Sequence, residues 1–434
     1  MRFHGLGIVA FTAVLPLVVH AQPIPSRSGA VVISSPAQAV AEALVRSPAL
    51  RGASAVRQAV QGDALAAPLR PNPEASILVE NFGGLGGRGD YRGGRSTETT
   101  LSLAQRLELG GKRTARIALA GRTGDLATLD YEAARLDLAR DVLTALAEAE
   151  AATRTVAIEQ ERLRQASETL RIARGRVDAG KDPELQARRV EVTRVSADVA
   201  VERARREAAI SLRNLATLLG VADVELVPRQ SWFDDVGPTP QPPLPAEPME
   251  RLAANPDYVR LGSTIAQQRA NMDLQRANGM PDVTLQGGVR RFQEGRETAF
   301  IAGASIPLPF NNRNQAGIAR AQAEMSRAEA DADRGRLTLV ASLVAAERRT
   351  ELAWRTVQSL RRRGVPSAEQ AARLAAGGFA EGKFTYLEAL DAQRAMSDAR
   401  AQLNDALRDY HARRAETDRL RGEMPTTTQA GGFR

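Results

Sequence analysis

Residues 97–113 read Thr97-Glu-Thr-Thr-Leu-Ser-Leu-Ala-Gln-Arg-Leu-Glu-Leu-Gly-Gly-Lys-Arg113, and a long helical pattern follows. From Thr97 to Leu107 the polarity alternates. Thr99, Leu101, Leu103 and Leu107 point one way, and Glu98, Thr100, Ser102 and Arg106 the other. Period two is the signature of a strand with two different faces. The pattern recurs over residues 282–291, where Val283, Leu285 and Val289 oppose Asp282, Thr284, Gln286 and Arg290. Residues 298–306 are more apolar, with Phe300 and Ile306 on one face, and residues 74–82 alternate poorly. An apolar face backed by a polar one is the pattern of a barrel wall around water. Four strands are too few to close a barrel, and open edges are not tolerated in lipid. Several chains must then share one barrel, and three would supply twelve strands. Phe82, Tyr91, Phe292, Phe300 and Phe310 lie in or beside these strands, as interfacial aromatics do.

Outward from this stretch, the chain reads as two copies of one plan. Pro73-Glu-Ala-Ser-Ile-Leu78 answers Pro281-Asp-Val-Thr-Leu-Gln286. Leu107-Glu-Leu-Gly-Gly-Lys-Arg113 answers Pro307-Leu-Pro-Phe-Asn-Asn-Arg313, and Ala179-Gly-Lys-Asp-Pro-Glu-Leu185 answers Glu381-Gly-Lys-Phe-Thr-Tyr-Leu387. Each copy predicts helix, strand pair, long helix, tight turn, helix. The first repeat spans 22–227, with a hairpin tip at about 179–183, and the second 249–422, with a tip at about 377–384; a tail follows at 423–434. Between them, residues 228–248 carry Pro238, Pro240, Pro242, Pro243, Pro245 and Pro248, which predicts a linker or crossing segment.

At 1.5 Å per residue, Thr114 to Asp178 extends about 98 Å, which about equals Pro183 to Leu219 and Pro36 to Ala66 laid end to end. The second copy repeats the rule. Gln315 to Ala376 extends about 93 Å, against about 102 Å for Thr385 to Arg421 plus Glu247 to Ala277. A straight helix beside a stacked pair of equal length describes a tube wall. Gly364 and Pro366 predict a bend in the second long helix. Leu129, Ala133, Leu136, Leu143 and Leu146, and Val192, Val195 and Val199 followed by Leu212, Leu215 and Leu219, form stripes suited to coiled-coil seams.

The chain has 434 residues, no cysteine and three histidines. Disulfides, thiol nucleophiles and Cys zinc sites are excluded, and a multi-histidine metal site is disfavoured. Met1-Arg-Phe-His4, the apolar run Gly5 to Val19 and Val19-His-Ala21 read as a signal peptide over residues 1–21, cleaved after Ala21. Cleavage removes Arg2, and the net charge falls from +8 to +7. No later apolar run is long enough to cross a membrane as a helix. Arginines alternate with acids along the helices, as in Glu159 to Arg164 and Glu202 to Glu207, which describes solvated faces, not a nucleic-acid surface. Gly83 to Arg95 is glycine-rich, but strands flank it on both sides, so it predicts a loop, not a phosphate cradle. Arg361-Arg-Arg363 is a basic spot without an assigned role.

Leu107 to Arg113 after one strand, Ile306-Pro-Leu-Pro-Phe-Asn-Asn-Arg313 after another, and Gly382-Lys-Phe-Thr-Tyr-Leu-Glu-Ala-Leu-Asp-Ala-Gln-Arg394 resemble the TolC-like outer membrane factors of Gram-negative bacteria, closest to the CzcC-like cobalt-zinc-cadmium branch. The resemblance covers about Pro36 to Gly422. It implies a mainly α protein with a small β part, a homotrimer with a twelve-strand barrel in outer membrane lipid, and an α-helical barrel across the periplasm. It implies an exit duct working with a periplasmic adaptor and an inner-membrane pump of the resistance-nodulation-division class. It implies no enzyme activity and no cofactor, with heavy-metal cations as cargo, or alternatively drugs or other organic compounds. Many relatives carry an N-terminal lipid cysteine, which this chain lacks. A periplasmic adaptor, or a structural coiled-coil envelope protein, is the competing class. The two copies with strand pairs weigh against both.

Glu388 and Asp391 lie three apart just past the second tip and share a helix face. The resemblance places them around the periplasmic aperture, as a cation-selective ring. The tips Gly180, Lys181, Asp182 and Gly382, Lys383 carry glycines suited to ending helices, and the resemblance makes them adaptor-docking points. His411 has no second metal ligand nearby in sequence.

Overall fold

A computed structural model describes residues 30–83, 94–227, 231–238, 248–381 and 383–425. The expected signal peptide, most of the glycine-rich loop, residues 239–247 of the proline cluster, Gly382 and the end of the tail lie outside these.

The chain opens with β1 (Val31–Ile33), α1 (Pro36–Arg46) and α2 (Pro48–Ala66). Residues 36–66 are therefore two helices, not the single one expected. Ser47, backbone-extended before Pro48, interrupts them because the residue before proline is pushed out of the helical region. Then follow β2 (Glu74–Glu80), β3 (Glu98–Leu107), α3 (Lys112–Asp178) and α4 (Glu184–Leu219). The middle of the chain holds β4 (Val224–Leu226) and α5 (Ser231–Asp234). The second half repeats the order with α6 (Pro248–Leu252), α7 (Pro256–Asn278), β5 (Val283–Phe292), β6 (Thr298–Ser305) and α8 (Gln315–Ser359). Again one expected helix is two, broken where Asn255 caps α7 by accepting from the Asp257 N–H at 2.7 Å. A π-helical turn (Leu360–Gly364) leads into α9 (Val365–Ala380), and α10 (Tyr386–Arg421) closes the plan. Where the sequence predicted a bend the helix carries a π turn, with Pro366 in the first turn of α9, where its missing N–H costs least.

The four long strands form one antiparallel sheet ordered β2-β3-β5-β6. Helices leave from one end of it only, and Glu80, Glu98 and the turn 293–297 lie at the other. Among the described residues, no helix is long and apolar enough to cross a membrane. Beyond the sheet, α3 packs on α2, α4, α7 and α10, and α8 packs on α7 and α10. The layer next to the sheet therefore reads α2-α3-α7-α8, and the far layer reads α4-α3-α10-α9.

Alanine and leucine fill the helical core. Val142, Leu146, Ala149, Leu215 and Leu219 are buried together with Ile33 and Ala39. On α4 the stripe that packs inside the chain is Val190, Ala197, Val201, Ala204 and Ala208. Val192, Val195 and Val199, expected in a seam, are exposed among the described residues. Two features were not foreseen. One is the parallel pairing of β1 with β4, which ties the first residues to the end of α4. The other is α5, inside the expected linker, whose Phe233 is fully buried beside Ala147, Val357 and Tyr410.

Candidate functional site

The two faces of the sheet are built oppositely. Register places Ile77, Leu101, Val289 and Phe300 side by side in one row across all four strands. Leu101 is 52% exposed and Phe300 90%. The reverse face is polar and less accessible, with Thr100 at 3% and Ser102 at 6%. There Arg290 donates to Thr100 Oγ1 and to Glu98 Oε2, both at 2.9 Å, and pairs with Glu80 at 3.2 Å. Gln286 donates to Ser102 Oγ at 2.9 Å, and the Ser76 and Ser102 hydroxyls lie 2.8 Å apart. A sheet with leucines outward and a hydrogen-bonded polar network inward suits a wall with hydrocarbon outside and water inside. Of the expected girdle aromatics, Phe300 lies on the outward face one row in from the end nearest the turn 293–297, and Phe292, paired with Glu98, shares the polar face instead. Tyr91 lies outside the described residues.

Where strands become helices, the glycines quoted at the outset do specific work. Gly110 and Gly111 take left-handed conformations, and a Cβ on Gly110 would stand 2.6 Å from the Met280 Cβ. Arg116 then grips Glu108 with both guanidinium ends, at 2.7 and 3.0 Å, and donates to the Ala67 and Leu69 carbonyls. Lys112 pairs with Asp282 at 2.5 Å. The Gly110–Met280 approach and the Lys112–Asp282 pair join the two copies at the sheet's root, while Arg116 ties the first copy's own segments together.

At the opposite end the two hairpins lie side by side. Leu170, Ala173, Val190 and Tyr386 share a small core with Phe379 and Leu390, and the Arg176 guanidinium sits 5.5 Å from the Phe379 ring centre. In the first tip, Gly180 has φ +68° and Lys181 N–H returns to the Arg176 carbonyl at 2.9 Å, a glycine-terminated helix end. Asp182 pairs with Arg176 at 2.7 Å, which lowers its pKa. In the second tip α9 continues to Ala380, so the turn is shorter than the expected 377–384. Lys383 pairs with Glu381 at 2.6 Å. Gly378, in the last turns of α9, is a required glycine that sequence reasoning missed. A Cβ there would stand 2.2 Å from the Phe384 ring, and its carbonyl accepts from Lys383 and Phe384.

Glu388 and Asp391 are both exposed near the start of α10. Glu388 closes a capping box. Its carboxylate accepts from the Thr385 N–H at 2.7 Å and from the Thr385 hydroxyl at 2.8 Å, while the same hydroxyl accepts from the Glu388 N–H. The Thr385 N–H and then its hydroxyl hold the Glu388 pKa below the usual carboxylate value, so it stays anionic.

Midway along the shaft, α5 is clamped from three sides. Arg154 of α3 pairs with Asp234 at 2.8 Å, Arg361 donates to the Asp234 carbonyl at 2.6 Å, and His411 Nε2 lies 2.9 Å from the Phe233 carbonyl. Arg361 thus acquires a structural role, and the π turn is what presents it. Burial pushes the His411 pKa down to about 4. Among the described residues, no group of three potential metal ligands occurs.

A family model described as outer membrane efflux protein matches residues 39–221 and 249–423. The chain is 30% identical over 383 residues to the cobalt-zinc-cadmium resistance protein CzcC of Cupriavidus metallidurans, covering 86% of each chain. It is 28% identical over 324 residues to the nickel-cobalt-cadmium resistance protein NccC of Alcaligenes xylosoxydans, covering 71% of this chain and 70% of that one. The fold superposes on a membrane protein from Pseudomonas aeruginosa with a TM-score of 0.74 at 19% identity, covering 95% of this chain and 96% of that one.

Proposed function

Because the chain belongs to the outer membrane efflux protein family and resides in the outer membrane, we propose that three copies close into a passive, water-filled exit duct for heavy-metal cations. The observation that carries this reading is the inside-out sheet with two unpaired edges, β2 and β6. The helical layers end on the same two sides, at α2 and α4 on one and at α8 and α9 on the other. Each copy thus offers one edge made from its first half and one from its second. Joining unlike edges generates a ring, and three four-stranded sheets give twelve strands. Exposed Leu185, Val192, Val199 and Ile210 recur at heptad-related positions along the free side of α4 and supply an apolar seam for a neighbour.

Transport energy on this reading comes from an inner-membrane pump of the resistance-nodulation-division class, reached through a periplasmic adaptor. The adaptor engages the tips at Gly180, Lys181, Asp182, Gly382 and Lys383. Tripling Glu388 and Asp391 places six carboxylates at the tunnel's end, an electrostatic preference for cations. Cobalt, zinc, cadmium and nickel are the cargo favoured by the likeness to CzcC and NccC.

Deleting the gene should lower tolerance to these metals and leave tolerance to organic antibiotics unchanged. The reverse result assigns the duct to organic cargo. In planar bilayers, Glu388→Gln with Asp391→Asn keeps the helix cap yet removes the charge. It should abolish cation selectivity and block by multivalent cations, and unchanged conductance would remove the ring assignment. Bulky residues in place of Gly180 and Gly382 should abolish resistance while trimers persist, whereas normal resistance would remove the docking role.

A further inference from the structure

Within the four strands, the outward face is apolar except at Gln105 and in one row. That row is Thr99, Arg291 and Thr298, directly paired across β3, β5 and β6. Arg291 is the single charged residue on this face. It is exposed and makes no hydrogen bond or ion pair among the described residues, in contrast to Arg290 beside it, whose guanidinium is fully engaged on the polar side. The row is the last before the turn 293–297, at the end of the sheet away from the helices. From Val283 to Arg291 the strand rises roughly 26 Å at 3.3 Å per residue, and tilting by about 40° reduces this to roughly 20 Å along the membrane normal. That covers most of the about 25 Å of a barrel's apolar band, so Arg291 stands near the band's edge on the far side. Glu294, Arg296 and Glu297 follow in the exposed turn.

A lone outward guanidinium at mid-hydrocarbon depth is costly, but at an interface it meets anionic headgroups. Its planar fork matches phosphate oxygens in bidentate fashion, and two flanking threonine hydroxyls add donors. We propose that Thr99, Arg291 and Thr298 form a phosphate-binding site for the phosphorylated glycolipid of the outer leaflet. This rests on the barrel reading above and assigns that barrel a headgroup contact on its outer rim.

The test uses full-length protein extracted from outer membranes in mild detergent. Phosphorylated lipid A should raise the unfolding temperature of the wild type and co-purify with it. Arg291→Gln should lose the shift and carry several-fold less lipid, with Arg291→Lys between them. Dephosphorylated lipid A and inorganic phosphate should give no shift. An equal shift in Arg291→Gln, or with dephosphorylated lipid, overturns the site, and an equal shift with inorganic phosphate overturns the lipid as its ligand. The barrel itself is checked separately. The native chain has no cysteine, so Phe300→Cys can be labelled by a bilayer-soluble maleimide. Labelling without a lipid difference sinks only the headgroup site, while failure to label removes the barrel and the site with it.

Discussion

The sheet and the helical shaft obey opposite burial rules within one chain. In the shaft, Leu146 and Leu215 are 1% and 0% exposed, while the arginines Arg320 and Arg327 have side chains 82% and 84% exposed. In the sheet, Ile77 is 72% exposed while Ser102 is 6%. Burial of apolar surface drives association only away from water. An ordered sheet that turns its leucines outward is matched to a solvent that is not water, so the change of rule at Gly110 and Gly111 marks where the surroundings change.

The largest effect should come from the shaft. Glu347 is buried and accepts from Arg251 at 2.9 Å and Arg421 at 2.6 Å, joining α6, α8 and α10. Removing one partner of a buried ionic group typically costs about 3–5 kcal/mol. Glu347→Ala should destabilise the helical part by that amount in denaturant titrations, and a loss below about 1 kcal/mol would mean the shaft does not depend on this junction. The sheet supplies the mirror test. Leu103→Arg places charge in the middle row of the outward face at a cost of about 2–4 kcal/mol and should reduce the assembled outer-membrane fraction. Normal assembly of that variant would break the comparison.

A third test concerns acid. His411 titrates at about 4 when folded, against a usual 6.5, because burial disfavours its charged form. As pH falls from 6.5 towards 4, the unfolded chain takes up a proton that the folded chain refuses. Stability is therefore present above 6.5 and lost on acidification, by up to roughly 3 kcal/mol. His411→Gln should flatten that part of the stability-pH curve, and an unchanged slope would show that the α5 clamp does not titrate. The smallest effect should appear at the tips. Thr385→Ala removes a cap worth about 1 kcal/mol and should speed amide exchange in the first turn of α10. The start of α4, where Pro183 makes no side-chain cap, should be unaffected.

The strands and long helices were legible because their periods persist over many residues. Thr97 to Leu107 alternates for three full cycles, and α3 runs uninterrupted from Lys112 to Asp178. What escaped was short or depended on distant partners. Val31–Ile33 has no periodicity to read in three residues and is a strand only because Val224–Leu226 lies beside it. Ser231–Asp234 sits among prolines, yet adjacent Trp232 and Phe233 in a chain with 4% aromatics were an available signal of burial. The breaks at Ser47-Pro48 and Asn255-Pro256 were also written in the sequence, in the constraint proline places on its predecessor. The acidic pair was legible as a shared face, and the capping box was also written in the sequence as Thr385-Tyr-Leu-Glu388, a Thr-x-x-Glu start signal that the reading of the acidic face passed over.

The central claim is that β2 of one copy pairs with β6 of the next. Within one chain these strands are three strand spacings apart, roughly 14 Å, too far for an internal disulfide, which needs Cα atoms within about 7 Å. Leu78→Cys combined in turn with Ala299→Cys, Ile301→Cys or Gly303→Cys should yield, in at least one combination, oxidised dimers and closed trimers on denaturing gels. Folded, membrane-inserted protein that remains monomeric in every combination would contradict the account.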